Sequence, residues 1–227
     1  CFLVFSDYRK ASIRMAARER LPAIYLFSHD SLAVGEDGPT HQPIEQRTRL
    51  RAIPHLNLFR PADAIETAAS YRSAFSSTDH PTAIILSRQG LANNPESSFE
   101  GSLKGGYVVS KEKEKAVLTL IATGSEVNLA VSVQSRLLSD GIDVRVVSMP
   151  CTELFDQQED SYKEEVFGND YDHRVFIERG RPNGNYRYAK TVLGVEDFGA
   201  SAPADKVLDA YGFTPEKVAR KVKELLA

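Results

Sequence analysis

The chain has 227 residues, a formal net charge of −3, 42% hydrophobic and 26% charged residues, enough for one large core or two modest ones. That balance excludes a polybasic groove for nucleic acid or for an anionic membrane surface, and no apolar run approaches the roughly 20 residues that span a bilayer. Cys1 and Cys151 make neither a disulfide framework nor a paired-cysteine zinc spacing, so a reducing cytoplasm is the expected location.

The chain opens on "CFLVF", with Cys1 in place of Met and no polar lead-in. This reads as a fragment entered in mid-domain; the run is too short for a signal-peptide core. A helix is expected over 9–19, then a buried strand in "LPAIYLFS" (21–28). A polar loop, "SHDSLAVGEDGPTHQP" (28–43), precedes a helical stretch at 44–53. A short strand (56–61), an amphipathic helix (62–77) and a further strand (82–88) follow. "QGLANNPESSFEGSLKGG" (89–106) is rich in Gly, Asn and Ser and reads as a linker.

The alternation then resumes with a strand at 116–123 and a helix at 125–141, with Ser125 as N-cap and Gly141 as stop. Strands at 144–150 and 174–179 come next, and a closing helix at 214–227 has Thr214 as N-cap and Pro215 at its first position. "KEKEK" (111–115) is a solvated turn, and His55, His80 and His173 have no partner in the pattern. Buried strands separated by helices predict an α/β chain of two consecutive three-layer modules with mostly parallel sheets, the first incomplete at its N-terminus. The boundaries fall at 1–96, a linker at 97–105, and 106–227.

In such a sheet, ligands sit beyond the carboxyl ends of the strands. His29 follows one strand at that end and Arg88 closes another, while the loop between them carries Asp37 and His41. Gly35, Gly38 and Pro39 give that loop a tight path. A histidine shuttles protons near neutral pH, a carboxylate holds a hydroxyl, and an arginine beside a histidine binds an anion. Together they suit a phosphorylated polyol or ketose. A metal site lacks support, with no helical His-x-x-x-His and no Cys pair. Each residue also has a plainer reading: a well-ordered turn whose carboxylates cap the helix at 44, a packed or solvated His29, a surface Arg88. "ATGSEV" (122–127) can be a phosphate-binding turn, but its single glycine favours an ordinary helix start with Glu126 in the first turn.

"SHDS", "GEDGPTHQP", "RPAD" (60–63), "ILSRQ" (85–89), "KGGYV" (104–108), "ATGSEV", "RVVSMP" (145–150) and "FGASAPA" (198–204) occur in that order. This series resembles transketolase over the whole chain. The pair Gln42–Pro43 distinguishes it from deoxyxylulose-phosphate synthases, which share the "GEDGPTH" core; the absence of Trp near "ERGRPNGNYRY" (178–188) departs from the family.

The resemblance implies transfer of a two-carbon ketol unit between sugar phosphates in the pentose phosphate pathway, with thiamine diphosphate and Mg²⁺ or Ca²⁺ in a homodimer. It implies that Phe2 and Phe5 pack on the cofactor's aminopyrimidine with Tyr8 beside it, that His29 and Arg88 bind the substrate phosphate, that Asp37 reads a substrate hydroxyl, and that His41 is the catalytic residue for proton transfer. The family's activating glutamate and its "GDG…N" diphosphate and metal site lie upstream of the aromatic run, in the missing N-terminal half. The chain alone is therefore expected to bind no cofactor and to be inactive. Two other functions fit the same residues: a dihydroxyacetone synthase that accepts formaldehyde, and a non-catalytic dimerisation or regulatory module.

Overall fold

The computed structural model of the chain describes residues 1–168 and 170–226. After a 3-10 helix, Leu3–Arg9, α1 (Lys10–Arg18) leads to β1 (Ile24–Phe27), α2 (Gln46–Arg51) to β2 (Asn57–Phe59), and α3 (Ala64–Ser76) to β3 (Thr82–Ile85). These strands form a parallel sheet in the order β1-β3-β2. Then come α4 (Phe99–Leu103), β4 (Tyr107–Ser110), β5 (Leu118–Ala122), α5 (Glu126–Ser139), β6 (Val144–Ser148), α6 (Thr152–Asp156), α7 (Asp160–Phe167), β7 (Arg174–Ile177), β8 (Thr191–Leu193), α8 (Ala204–Ala210) and α9 (Pro215–Leu226). The second sheet has the order β4-β6-β5-β7-β8, antiparallel at β4 and parallel elsewhere. The predicted α/β class with mostly parallel sheets is what the chain adopts.

Side chains on a strand alternate between faces, so a strand covered on both sides feeds two cores. Leu120, Val146, Val175 and Ile177 enter one core with Val127, Val133 and Val222 of α5 and α9. Their neighbours Ile121, Val147 and Phe176 enter the other, with Phe155 and Phe167 of α6 and α7. The first sheet divides likewise: Leu58, Ala83 and Ile85 pack with Ile13 and Leu50, while Phe59 and Ile84 pack with Ala74 of α3 and with Cys151.

Several elements depart from the sequence expectation. The strand expected over 21–28 is four residues long, and only Phe27 of it is buried, because β1 is the sheet's edge; Ile24 and Leu26 lie on its exposed side. β4 and β8 gave no sequence signal, being short, half-buried edges. The segment read as a linker holds α4, capped by Ser98, whose Oγ accepts from the Gly101 amide at 2.9 Å, and packed on α3. Ser125 is not a cap. Its backbone is already helical and its hydroxyl donates to Glu126 at 2.6 Å, drawn there by the charges around it. Thr214 does cap α9, accepting from the Lys217 amide at 3.3 Å; the expected helix end at 227 lies outside the described residues.

The two units share a buried ionic seam. Arg60, fully buried at the carboxyl end of β2, donates from Nε to Asp30 at 3.0 Å and from Nη1 to the Thr123 carbonyl at 2.7 Å, and it pairs with Glu126 at the start of α5. Arg51 grips Glu178 with two bonds of 2.8 and 2.9 Å, and Arg47 donates to the carbonyls of Asp30 and Arg179. Burial works against the charge of Glu126, but Arg60 and Arg179 outweigh it and hold the carboxyl down at about 2. Removing one partner of such a set strands a buried charge and costs about 3–5 kcal/mol. Arg60→Leu is thus expected to lower the unfolding free energy by several kcal/mol. A loss within about 1 kcal/mol in urea melts would show that the seam is dispensable.

Glu66 of α3 is a second link, and it behaves oppositely. Its carboxyl accepts from Ala62 N at 2.7 Å, Ser148 Oγ at 2.5 Å and Tyr107 Oη at 2.8 Å, the last two from the second unit. Burial raises it from 4.5 to about 7, because those hydrogen bonds do not offset the lost solvation. The folded state therefore holds this proton more tightly than the unfolded chain. Its contribution is complete below pH 4.5 and is lost as pH rises toward 7. Glu66→Gln, which cannot ionise, should flatten the fall in stability across that window; an unchanged slope in melts at successive pH values would refute this.

Candidate active site

The site begins where the chain start meets β1. Ser28 N donates to the Cys1 carbonyl at 2.9 Å and Leu3 N to the Ser28 carbonyl at 2.8 Å, a parallel bridge that sets Phe2 beside the end of β1. The 3-10 helix that follows places residues three apart on one side. Phe2, Phe5 and Tyr8 therefore form a ladder of rings with centroids 6.0 and 6.1 Å apart. Phe2 stacks on His29 with centroids 3.6 Å apart and planes 19° from parallel. His41 meets the edges of Phe2 and Phe5 at 6.0 and 5.3 Å. Phe2 and Phe5 are half-buried, while Tyr8 is 88% exposed.

His29 adopts a left-handed backbone, φ 60°, a conformation few non-glycine residues take. That turn diverts the chain out of β1 into the loop and leaves the ring over Phe2. The loop winds through a second 3-10 segment, Leu32–Asp37, and turns at Gly35 (φ 78°) and Gly38 (φ 73°), positions that favour glycine. His41 N then donates to the Gly38 carbonyl at 3.0 Å, which returns His41 to the aromatic ladder. Ser28 Oγ lies 3.0 Å from Nδ1 of His29, and Thr40 Oγ1 lies 2.9 Å from Nδ1 of His41.

Asp37 and Arg88 are exposed beside these half-buried rings. His29 feels both. Burial and then the Arg88 guanidinium push its titration below 6.5, Asp37 and Asp30 pull it upward, and His41 adds to the lowering. His29 and His41 thus share the rings of Phe2 and Phe5, and Asp37 and Arg88 lie near enough to act on the charge of His29. The carboxylates of the loop do not cap α2, whose N-terminus has no side-chain cap.

Sequence reasoning gave no site role to Ser28, Thr40 and Gln42, which it used only as parts of family motifs. It also passed over Asp30 and Arg60, whose one signal was an arginine ending the apolar run "LNLF" (56–59). A cleft of about 490 Å³, lined by Arg51, His55, Glu153, Asp156 and Arg187, lies at the opposite end of β2. Its two arginines are paired already, Arg187 with Asp156 at 2.9 Å and Arg51 with Glu178. No group of three or more residues able to hold a metal ion occurs among the described residues.

Residues 1–93 match the family described as "Transketolase, pyrimidine binding domain", and residues 105–214 the family described as "Transketolase-like TK C-terminal domain". The chain belongs to the transketolase family. It is 51% identical to a protein of Streptococcus pneumoniae named "Probable transketolase", over 99% of this chain and 34% of that one. A Pichia stipitis transketolase solved in complex with sedoheptulose 7-phosphate superposes with a TM-score of 0.96 at 39% identity, covering 99% of this chain and 33% of that one. A chain described as "Split gene transketolase, inactive beta4 tetramer" has a TM-score of 0.75 at 25% identity, covering 99% of this chain and 74% of that one. This transketolase chain therefore spans about a third of the length of the curated relatives it matches. Among its described residues no helix is long and apolar enough to cross a membrane.

The electrostatic coupling can be read directly. Arg88→Met should raise the titration of His29 and Asp37→Asn should lower it, both followed by NMR of the ring carbons. Failure of both to move it would place those residues outside the site.

Proposed function

We propose that this chain is the C-terminal part of a transketolase and forms the sugar-phosphate wall of its active site, with residues 1–96 the later portion of the pyrimidine-binding module and 106–227 the C-terminal domain. The observation that carries this reading is the seating of His29 and His41 against one aromatic ladder, with Asp37 and Arg88 near enough to act on the charge of His29. Arg88 supplies the charge for a phosphate. His29, held neutral near pH 7 by burial and by Arg88, supplies an N–H donor rather than a second cation. Asp37 accepts from a sugar hydroxyl. Thr40 occupies Nδ1 of His41, which leaves Nε2 for proton transfer at the reacting hydroxyl.

The ladder of Phe2, Phe5 and Tyr8 fits a flat heteroaromatic ring: two rings lie within about 20° of each other, and the third is almost wholly exposed on the same side. These residues would hold the pyrimidine of thiamine diphosphate, which supplies the carbanion chemistry when bound. The chain's own residues bind, orient and move protons at the sugar. The diphosphate and metal site and the activating glutamate belong to the missing half, so the reading includes a homodimeric holoenzyme and an inactive isolated chain. The inactive assembly among the structural relatives, of which this chain covers 74%, favours that last point.

Two measurements test it. The purified chain with thiamine diphosphate, Mg²⁺, xylulose phosphate and ribose phosphate should give no product; turnover would overturn the claim of inactivity. In the full-length enzyme, Arg88→Ala should raise KM for phosphorylated substrates roughly 10- to 100-fold, the value of one or two charge-assisted bonds, and raise it far less for unphosphorylated ones. An equal effect on both classes would remove Arg88 from the phosphate site. Preference for formaldehyde over ribose phosphate as acceptor would favour a dihydroxyacetone synthase.

A further inference from the structure

The loop that carries Asp37 and His41 rests on the second unit rather than on its own. Gln42, buried, donates from Nε2 to the Gly35 carbonyl at 2.9 Å, to the Leu32 carbonyl at 3.4 Å and to the Ala200 carbonyl at 3.0 Å. One amide thus ties the start and middle of the 3-10 segment Leu32–Asp37 to the strand-free stretch before α8. Ser201 adds a bond from Oγ to the Glu36 carbonyl at 2.5 Å, one residue before Asp37. The fit is close: a Cβ on Gly199 would lie 1.8 Å from Oε1 of Gln42. α8 itself packs along the 3-10 segment. The other end of the loop is tied to the second unit through two arginines of the first. Asp30, next to His29, is held at its carboxylate by Arg60, which pairs with Glu126, and at its carbonyl by Arg47, which also binds the Arg179 carbonyl.

We infer that the second unit, which brings no residue to the candidate site, acts as the template for the sugar-facing loop, with Gln42 as its positioning residue and Gly199–Ser201 as its seat. The reasoning is energetic. Leu32, Ala33 and Val34 anchor the start of the loop by burial, but the two left-handed glycines leave the stretch after them many conformations of its own, and only one sets Asp37 and His41 near His29. Loosening the clamp lowers the fraction of molecules in that conformation before the sugar arrives. Apparent affinity then falls by that fraction, whereas the sugar-bound state, once formed, is unchanged. A positioning role therefore predicts a rise in KM with little change in kcat.

This inference rests on the sugar-phosphate reading for its kinetic arm only. In Gln42→Met, which keeps the length and removes the donors, hydrogen exchange of amides 33–41 should quicken at least tenfold, while amides of β1, β3 and β5 keep their rates. In the full-length enzyme the same variant should raise KM for xylulose 5-phosphate about tenfold with kcat within a factor of two. Ser201→Ala, at an exposed position and safe for folding, should move both in the same direction by about threefold, and it decides the matter if Gln42→Met does not fold. Unchanged exchange in the loop, or exchange that quickens uniformly across the strands, overturns the inference. A wild-type enzyme that turns over no sugar phosphate overturns the functional reading instead, and leaves the exchange arm to judge the template.

Discussion

One guanidinium holds the molecule together. Arg60 has no contact with solvent, and its charge is met by Asp30 from the first unit and Glu126 from the second. Burial alone would drive such a cation toward neutrality; the two carboxylates outweigh that penalty and raise its affinity for the proton. Because each partner is stranded without the others, the units cannot part without exposing or orphaning charges on both sides. Backbone bonds follow the same line, from Arg60 N to the Pro150 carbonyl, from Gly124 N to the Arg60 carbonyl and from Arg181 N to the Ile44 carbonyl. Buried ion pairs are weak sources of net stability but strict judges of geometry. Here the geometry they enforce is the relative placement of two sheets.

That placement decides the site. Asp30 is at once the anion of the seam and the residue after His29, so the charge network and the left-handed turn at His29 share a single peptide. The ring of His29 is fixed from three directions: Phe2 against its face, Ser28 at Nδ1, and the locked Asp30 behind it. His41 arrives by a different route, through a loop seated on the second unit, and meets the same aromatic ladder. The candidate face belongs to the first unit by sequence and to both by construction. Asp37 and Arg88 stay exposed beside it.

The buried acids divide the protein's pH response. Glu126 and Glu178 have carboxyl groups held low by arginines, so their contribution is complete above about pH 4.5 and fades in acid, for Glu126 as pH falls toward 2. Glu66, surrounded by hydroxyl and amide donors without a cation, contributes below pH 4.5 and loses ground toward 7. The two sets oppose each other across the seam, one made of charges and the other of neutral hydrogen bonds.

The sequence alone determined the class of fold, most helices and the central strands. Apolar runs such as "TAIILSR" (82–88) and "AVLTLIAT" (116–123) are long enough to be covered on both faces, and caps such as Thr214 act locally. It also nominated His29, Asp37, His41 and Arg88 as candidates, from residue type and the positions of strand ends. Only the tertiary structure decided that Phe2 stacks on His29, that Ser125 serves a charge network instead of capping a helix, and that β1 lies at an edge with Ile24 and Leu26 uncovered. It alone placed Gln42 on Ala200, 158 positions away. The reason is physical: periodicity and capping act between neighbours in the chain, whereas a buried charge or amide takes whatever partner the packed sheets bring within about 3 Å.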